Sequence, residues 1–525
     1  VWFSSWRVMS PFIEFVQKKL WITGPSRLAE FELEGVTVRA EVVHSDFMVA
    51  QRTAAGPAYC LCERGSMMAC KYVHVLGVSV NQYGLGNKPI RVLGSTMSAV
   101  ARYMFPRLPI YIGDRDIRSV ICPLDQGNMV SSGSRQAGRF PMLYSTDRIL
   151  TTHAGSLPRP DELRSLVVKK AAGEACDEAA LEAMLPVAVA NVVKRQVEAG
   201  IDSVNDGELS KINFTNYVRE RISGFELRDP AVDGTYRLDM TARDRKKFPS
   251  YFETNQMPFG RSGLKTPVCV GDIRYIGHDT LRRDIANFKA ALDGVKVAEA
   301  YLPANTPGTI EHWMPNEHYA SDEAFVFAIA EAMREEYEAI VEAGFLLQID
   351  DPDLPDGWNC LPGMSVSEYR VYAAMRVDAL NHALRNIPPD KVRLHVCWGS
   401  FHGPHHDDIP LRDIADIILG VRAMSFSIEA SNPCHEHEWR VFEDVELPEG
   451  ATLVPGVVGH CSDFIEHPDL VAERLVRYAG LVGRERVLAG TDCGLGHRVG
   501  HSSICWAKLE ALAEGARRAS VQLWD

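Results

Sequence analysis

The sequence predicts an α/β protein whose main part is a (β/α)8 TIM barrel, preceded by an N-terminal extension of unknown fold. Three observations predict it. From Arg148 onward, short β-branched runs alternate with long amphipathic stretches, the texture of parallel strands joined by crossover helices. Those apolar runs break off at Asp, Glu, His, Cys or Asn, residues that this fold collects at the C-terminal ends of its strands. Residues 142–525 are also long enough for one such barrel.

In chain order, residues 1–141 come first. They hold 16 Lys or Arg and 10 Asp or Glu, which leaves 40 and 59 of the totals 56 and 69 for the rest, so the parts carry +6 and -19. Breakers such as Gly84-Leu85-Gly86-Asn87-Lys88-Pro89 and Ser131-Ser132-Gly133-Ser134 interrupt any sustained period, and no fold is assigned. With Val1 opening the chain and Met142 just before the barrel-like start, this stretch reads either as upstream sequence taken as coding or as a small accessory domain. Cys60, Cys62 and Cys70 contain no CxxC pair and are not read as a metal site.

In the second part, candidate strands end at Thr152, Asn205, Asp272, Ala298, Asp350, Cys397, Glu429, Val458 and Gly490, nine where a barrel needs eight. One of the runs around 268–277 and 296–302 is therefore expected to belong to an insertion. Apolar spacings of three and four predict helices over 178–199, 322–343, 366–386 and 468–482.

Composition narrows the function. A chain with 46% hydrophobic and 24% charged residues is an ordinary globular protein, and its net charge of -13 argues against nucleic acid, whose phosphates are bound by Lys and Arg. A small-molecule substrate fits better. No apolar run reaches the roughly 18–20 residues that cross a bilayer, so no membrane partner is expected. Twelve irregularly spaced cysteines and no export-signal pattern predict reduced thiols in a cytoplasmic protein.

The strand ends concentrate the chemistry. His395 and Cys397 stand two apart on one strand, so both side chains face the same side and can share an ion. Zinc takes imidazole nitrogen and thiolate sulfur in a tetrahedron, and Cys493, at a later strand end, offers a third corner. The histidines His402, His405 and His406 of the segment 400–410, and the segment Cys434-His435-Glu436-His437-Glu438, are expected to be solvated loops. Trp313 and Trp398 are candidates for stacking on a flat ligand ring.

Six motifs in order bring a family into view: Thr152-His153-Ala154-Gly155-Ser156-Leu157-Pro158, Asp206-Gly207-Glu208, Gln348-Ile349-Asp350-Asp351-Pro352, His395-Val396-Cys397, Ser427-Ile428-Glu429 and Thr491-Asp492-Cys493-Gly494-Leu495. The segment from Asp147 onward resembles the C-terminal catalytic barrel of cobalamin-independent methionine synthase and its single-barrel relatives, which include the epoxyalkane:coenzyme M transferases. The resemblance implies a Zn2+ ion on His395, Cys397 and Cys493, with Glu429 in a fourth, exchangeable position. It also implies Ser156, Glu208 and Asp350 as the residues that hold the amino-acid part of a thiol. Asp351 stands where the synthases usually have Glu, and Gly459-His460-Cys461-Ser462 approximates their acid-catalyst motif.

The expected activity is zinc-dependent alkyl transfer to a thiol, foremost methyl transfer to homocysteine. Coordination would hold the sulfur as a thiolate at a pH where a free thiol, with its pKa near 8.5, is mostly protonated. His153, His460 and Asp492 are candidates for the acid that serves the leaving group. Methyl-folate, methylcobalamin and an epoxide all remain open as donor. Epoxide opening by coenzyme M thiolate is the alternative within this chemistry, and a catalytically silent binding barrel is the alternative outside it.

Overall fold

A computed structural model describes residues 143–228, 239–254, 265–496 and 498–525, together with six backbone strands before them. The chain divides into two compact units, Val1–Ser134 and Arg135–Asp525. In the first, Arg27–Leu33, Val36–Val42, Met48–Thr53 and Gly56–Leu61 pair antiparallel in sequence order, and Tyr111–Ile112 pairs with Arg115–Asp116. The side chains of Cys60, Cys62 and Cys70 lie outside the described residues.

The second unit contains eight parallel strands: β1 (Leu150–Thr151), β2 (Ser203–Val204), β3 (Glu299–Asn305), β4 (Leu346–Asp350), β5 (Val392–Val396), β6 (Ser425–Glu429), β7 (Thr452–Val458) and β8 (Leu488–Thr491). From β2 to β8 each strand pairs with the next in sequence, and β8 pairs with β1, so the sheet curls on itself and leaves β1 and β2 as its two edges. The β1–β2 seam is bridged by the Asp202 amide donating to the Thr151 carbonyl at 3.1 Å.

Helices α1 (Glu178–Glu198), α2 (His278–Ala291), α3 (Asp322–Glu342), α4 (Val366–Ala383), α5 (Ala415–Leu419), α6 (Pro468–Val482) and α7 (Ser502–Trp524) follow β1, β2, β3, β4, β5, β7 and β8; a 3-10 segment, Glu436–Glu443, follows β6. Their starts are set locally. Asp177 accepts from the Ala180 amide, Ser321 from the Ala324 amide, and Ser365 with Glu368 forms a reciprocal capping box. On α3 the residues Phe325, Val326, Ile329, Ala330, Met333, Tyr337 and Ile340 are all buried, the three-and-four stripe that docks a helix on a sheet. Burying each of its large side chains stabilises by about 1.5–3 kcal/mol.

Of the two runs expected to include one insertion, the first is the insertion and the second needs its bounds corrected. Thr266–Cys269 is the surplus run: it pairs antiparallel with Phe225–Arg228, as a ribbon inserted between β2 and α2. The run expected to end at Ala298 instead begins at Glu299, because that glutamate is an interior residue. Its Oε1 lies 2.6 Å from Arg393 on β5, and both side chains are 2% exposed. A charged residue that reads as a strand end is here half of an ion pair inside the barrel.

Candidate active site

Register decides which strand-end residues meet. Asp350 pairs with His395 across β4 and β5, and His395 with Ser427 across β5 and β6, so the three stand at one level of the barrel mouth. The Ser427 hydroxyl occupies His395 Nδ1 at 3.1 Å. Nε2 is left buried, with no hydrogen-bond partner among the described residues. Two residues on, Cys397 Sγ lies 3.7 Å from Cys493 Sγ, which follows β8.

These three residues present ligand atoms within 4.8 Å of one another. Two sulfurs on one tetrahedral zinc with bonds of about 2.3 Å stand roughly 3.8 Å apart, whereas a disulfide holds them at about 2.05 Å. The spacing fits a shared ion. The two thiols are driven apart: the hydrogen bond to Cys493 and burial push Cys397 well up, while the same bond and His395 hold Cys493 well down, toward the thiolate. Burial works against the His395 imidazolium, but the Cys493 sulfur outweighs it and raises the pKa.

Glu429 groups with His460 and Asp492, whose ligand atoms likewise lie within 4.8 Å of one another. Its Oε2 accepts from the Trp398 amide at 3.3 Å and the Asn432 side chain at 3.5 Å. Its Oε1 has no hydrogen-bond partner among the described residues and lies 3.8 Å from His460 Nδ1, likewise unpartnered. Burial drives both groups toward neutrality, Glu429 well up with Asp492 adding to the shift, His460 down to about 4. His460 Nε2 contacts Ser400 Oγ at 3.1 Å, and the Ser400 hydroxyl reaches Cys493 Sγ at 3.7 Å.

Asp492 has a different setting from the one expected of a free acid. Its Oδ1 accepts from the amides of Ala430 (2.8 Å) and Ser431 (3.0 Å), and its Oδ2 from the Ser431 hydroxyl. Burial lifts its pKa to about 6 against these bonds. His153 is also committed, with Nε2 2.8 Å from Gln196 and Nδ1 accepting from the Gly155 amide at 3.2 Å.

The acidic pair implied for an ammonium group is present beside this centre. Asp350 accepts from the Gln348 amide at 2.9 Å, and burial, with Glu208 adding and His395 opposing, lifts its pKa to about 7. Glu208 is buried, holds φ +55°, and lies 3.6 Å from Lys211 Nζ. Ser156 lies against Gly494, next to Cys493: a Cβ there would come 2.3 Å from the serine oxygen, so only glycine leaves that hydroxyl in place.

The loop expectations are corrected in part. His402 and His406 are exposed, as a solvated segment requires, but His405 is buried, and so are His435 and Glu438. Asp408 Oδ2 contacts His405 Nδ1 at 2.8 Å and His435 Nε2 at 3.1 Å, while His435 Nδ1 meets Glu438 at 2.8 Å. Pairing makes burial of these polar groups affordable, and the i,i+3 spacings of His405 with Asp408 and of His435 with Glu438 are the signal that marks it. Trp398 cannot stack on a ligand: it is fully buried, packs face to face on His435 at 4.1 Å, and donates its indole N–H to the Ile409 carbonyl. The Trp313 indole donates to Asp353.

Fold and site together define a (β/α)8 barrel that gathers two groups of potential ligand side chains at its C-terminal mouth, His395 with Cys397 and Cys493, and Glu429 with His460 and Asp492. The sequence profile of the cobalamin-independent synthase catalytic domain matches residues 149–517, and the chain belongs to that family. Among similar proteins, a methionine synthase from Thermococcus kodakarensis is 24% identical over 369 residues, covering 70% of this chain and 91% of that protein. One from Saccharolobus islandicus is 28% identical over 372 residues, covering 70% and 93%. A B12-independent methionine synthase from Shewanella sp., solved in complex with selenomethionine, shares the fold at TM-score 0.54 and 19% identity, over 72% of this chain and 99% of that one.

Proposed function

We propose that this chain is a zinc-dependent methyltransferase that places a methyl group on the sulfur of homocysteine, giving methionine in the cytoplasm. The observation that carries the reading is that His395, Cys397 and Cys493 bring ligand atoms within 4.8 Å of one another, while His395 Nε2 and Glu429 Oε1 are buried without a hydrogen-bond partner among the described residues. These four residues would hold zinc, which supplies one thing: it stabilises the substrate sulfur as a thiolate at neutral pH.

The protein's own groups do the rest. Asp350 and Glu208 bind the substrate ammonium, and the Ser156 hydroxyl bonds its amino-acid end, which fixes the thiol toward Cys397 and Cys493. Glu429 would ligate as a carboxylate and would give way to the incoming sulfur, its released Oε1 taking the thiol proton, with His460 Nδ1, 3.8 Å away, placed to relay it. In transfer, the S–CH3 bond forms as the donor–CH3 bond breaks, and the donor's leaving atom takes a proton from His460. Asp492 serves by position, since its oxygens already bind the strand end that carries Glu429.

Methyl-folate is the donor to test first, with methylcobalamin second. Epoxide opening by coenzyme M calls for a cation to meet a sulfonate, and the buried acids Asp350 and Glu208 suit an ammonium. Metal content and zinc-edge X-ray absorption test the reading. A new sulfur neighbour with homocysteine but not with coenzyme M supports it, the reverse favours epoxide opening, and protein that takes up no zinc refutes the metal centre.

A further inference from the structure

The segment 400–410 follows β5 and starts at the sulfur pair, with the Ser400 hydroxyl 3.7 Å from Cys493 Sγ, and its further hydrogen bonds lead to Glu429. Asp408 is the hub. One oxygen binds both His405 Nδ1 and His435 Nε2, and the other accepts from the Asn359 amide at 2.7 Å. Asp408 thereby ties the segment to the helix Asp353–Cys360 and to the turn before Glu436–Glu443.

His435 passes the constraint on. Its far nitrogen is fixed by Glu438, and its ring lies 4.1 Å from Trp398 at an interplanar angle of 26°. The indole N–H of Trp398 is anchored on the Ile409 carbonyl, back in the same segment, at 2.7 Å. The backbone at Trp398 then has two outlets: it directly follows Cys397, and its amide donates to Glu429 Oε2. With Oε2 so held, Oε1 is the oxygen left free beside His460. Gly399 permits the tight turn: its φ is +85°, and a Cβ there would come 2.7 Å from Asp356 Oδ2.

We propose that Asp408 and His435 are positioning residues that, through Trp398, fix the Glu429 carboxylate by its Oε2, leaving Oε1 as the oxygen that would bind the metal, and so would set how readily that ligand exchanges for the substrate thiol. The proposal rests on the zinc reading of the site. It assigns a task to a segment that has the composition of a solvated loop.

The test uses the full chain loaded with Co2+, whose ligand-field bands report the fourth ligand and whose sulfur charge-transfer bands report the two cysteines. Asp408→Asn removes the charge shared by the two histidines, and His435→Phe keeps the stacked ring while deleting both of its hydrogen bonds. Each variant is expected to keep the charge-transfer bands, to shift the substrate-free ligand-field bands toward those of Glu429→Gln, and to lose zinc affinity by about 10- to 100-fold, the usual cost of an outer partner of a metal site. Homocysteine should then bring the variant and wild-type spectra together, because the substrate sulfur replaces Glu429. A simple packing defect would not do this.

Wild-type spectra and wild-type zinc affinity in both variants would overturn the proposal while leaving the zinc reading intact. Wild-type protein that binds neither ion would overturn the reading itself. His435→Phe decides the matter alone if Asp408→Asn does not fold.

Discussion

Asp350→Asn tests whether the acids at the mouth read the amino group of the substrate. The substitution is nearly isosteric, and the Gln348 amide, 2.9 Å from Oδ1, still finds a carbonyl acceptor. What is lost is a charge-assisted hydrogen bond to an ammonium, worth about 1.5–3 kcal/mol. At about 1.4 kcal/mol per factor of ten, the Kd for homocysteine should rise roughly 10- to 150-fold. A thiol of the same length without the amino group never made that bond and should bind within about twofold of wild type. Both affinities are measured by calorimetry on zinc-loaded protein. Metal content is checked first, because Asp350 pairs in register with the proposed ligand His395. Equal losses for the two thiols at full metal content would refute ammonium recognition.

Cys493→Ala should lose bound zinc and activity together while the circular dichroism of the barrel is unchanged; stoichiometric zinc in that variant would remove Cys493 from the centre. Arg393→Met strands buried Glu299, so unfolding should become about 3–5 kcal/mol easier, and Arg393→Met with Glu299→Leu should recover most of the loss in denaturant titrations. Burial lifts the carboxyls of Asp206 and Asp351 to about 6 and of Asp353 to about 8, with neighbouring acids adding to the shift at Asp206 and Asp353. These three carboxyls therefore hold more protons in the folded than in the unfolded state between about pH 4 and 8, and their contribution to stability falls as pH rises through that window. Below about pH 6.5 it is opposed by His153 and His460, which burial lowers to about 4. Tm should increase from pH 8 to pH 5.5, and Asp353→Asn should flatten the upper part of the slope by up to about 1.4 kcal/mol per pH unit. A Tm that drops on acidification over that range would refute the assignment.

How far the site was legible in the sequence depended on whether its geometry follows from periodicity. His395 and Cys397 could be read as partners because a strand repeats every two residues, and Asp350, Glu429 and Cys493 because each ends an apolar run. Periodicity says nothing about register. That Asp350, His395 and Ser427 share a level is a property of pairing between strands far apart in sequence. Compensated charge escaped for a related reason: Glu299, Asp408 and His435 look like surface residues one at a time, and only their partners explain their burial. Asp492 was legible as a strand-end acid, but not as one whose oxygens are already taken.

Its setting shows how two proposed ligands from strands that are not adjacent can hold one geometry. Cys493 follows β8 and Glu429 ends β6, with β7 between them, so no direct strand pairing relates them. Asp492 supplies the missing link, because it precedes Cys493 in the chain and binds the amides of Ala430 and Ser431, directly after Glu429. β7 makes room for that reach through Gly456, where a Cβ would lie 2.5 Å from Asp492 Oδ1. A shift of either strand end is therefore felt by both ligands. Cys397 is tied in from the other side by the Trp398 amide on Glu429 Oε2. Glu429 is thus braced from two directions while Oε1 has no hydrogen-bond partner among the described residues, the arrangement the proposed fourth ligand would need to leave and return without disturbing His395, Cys397 and Cys493.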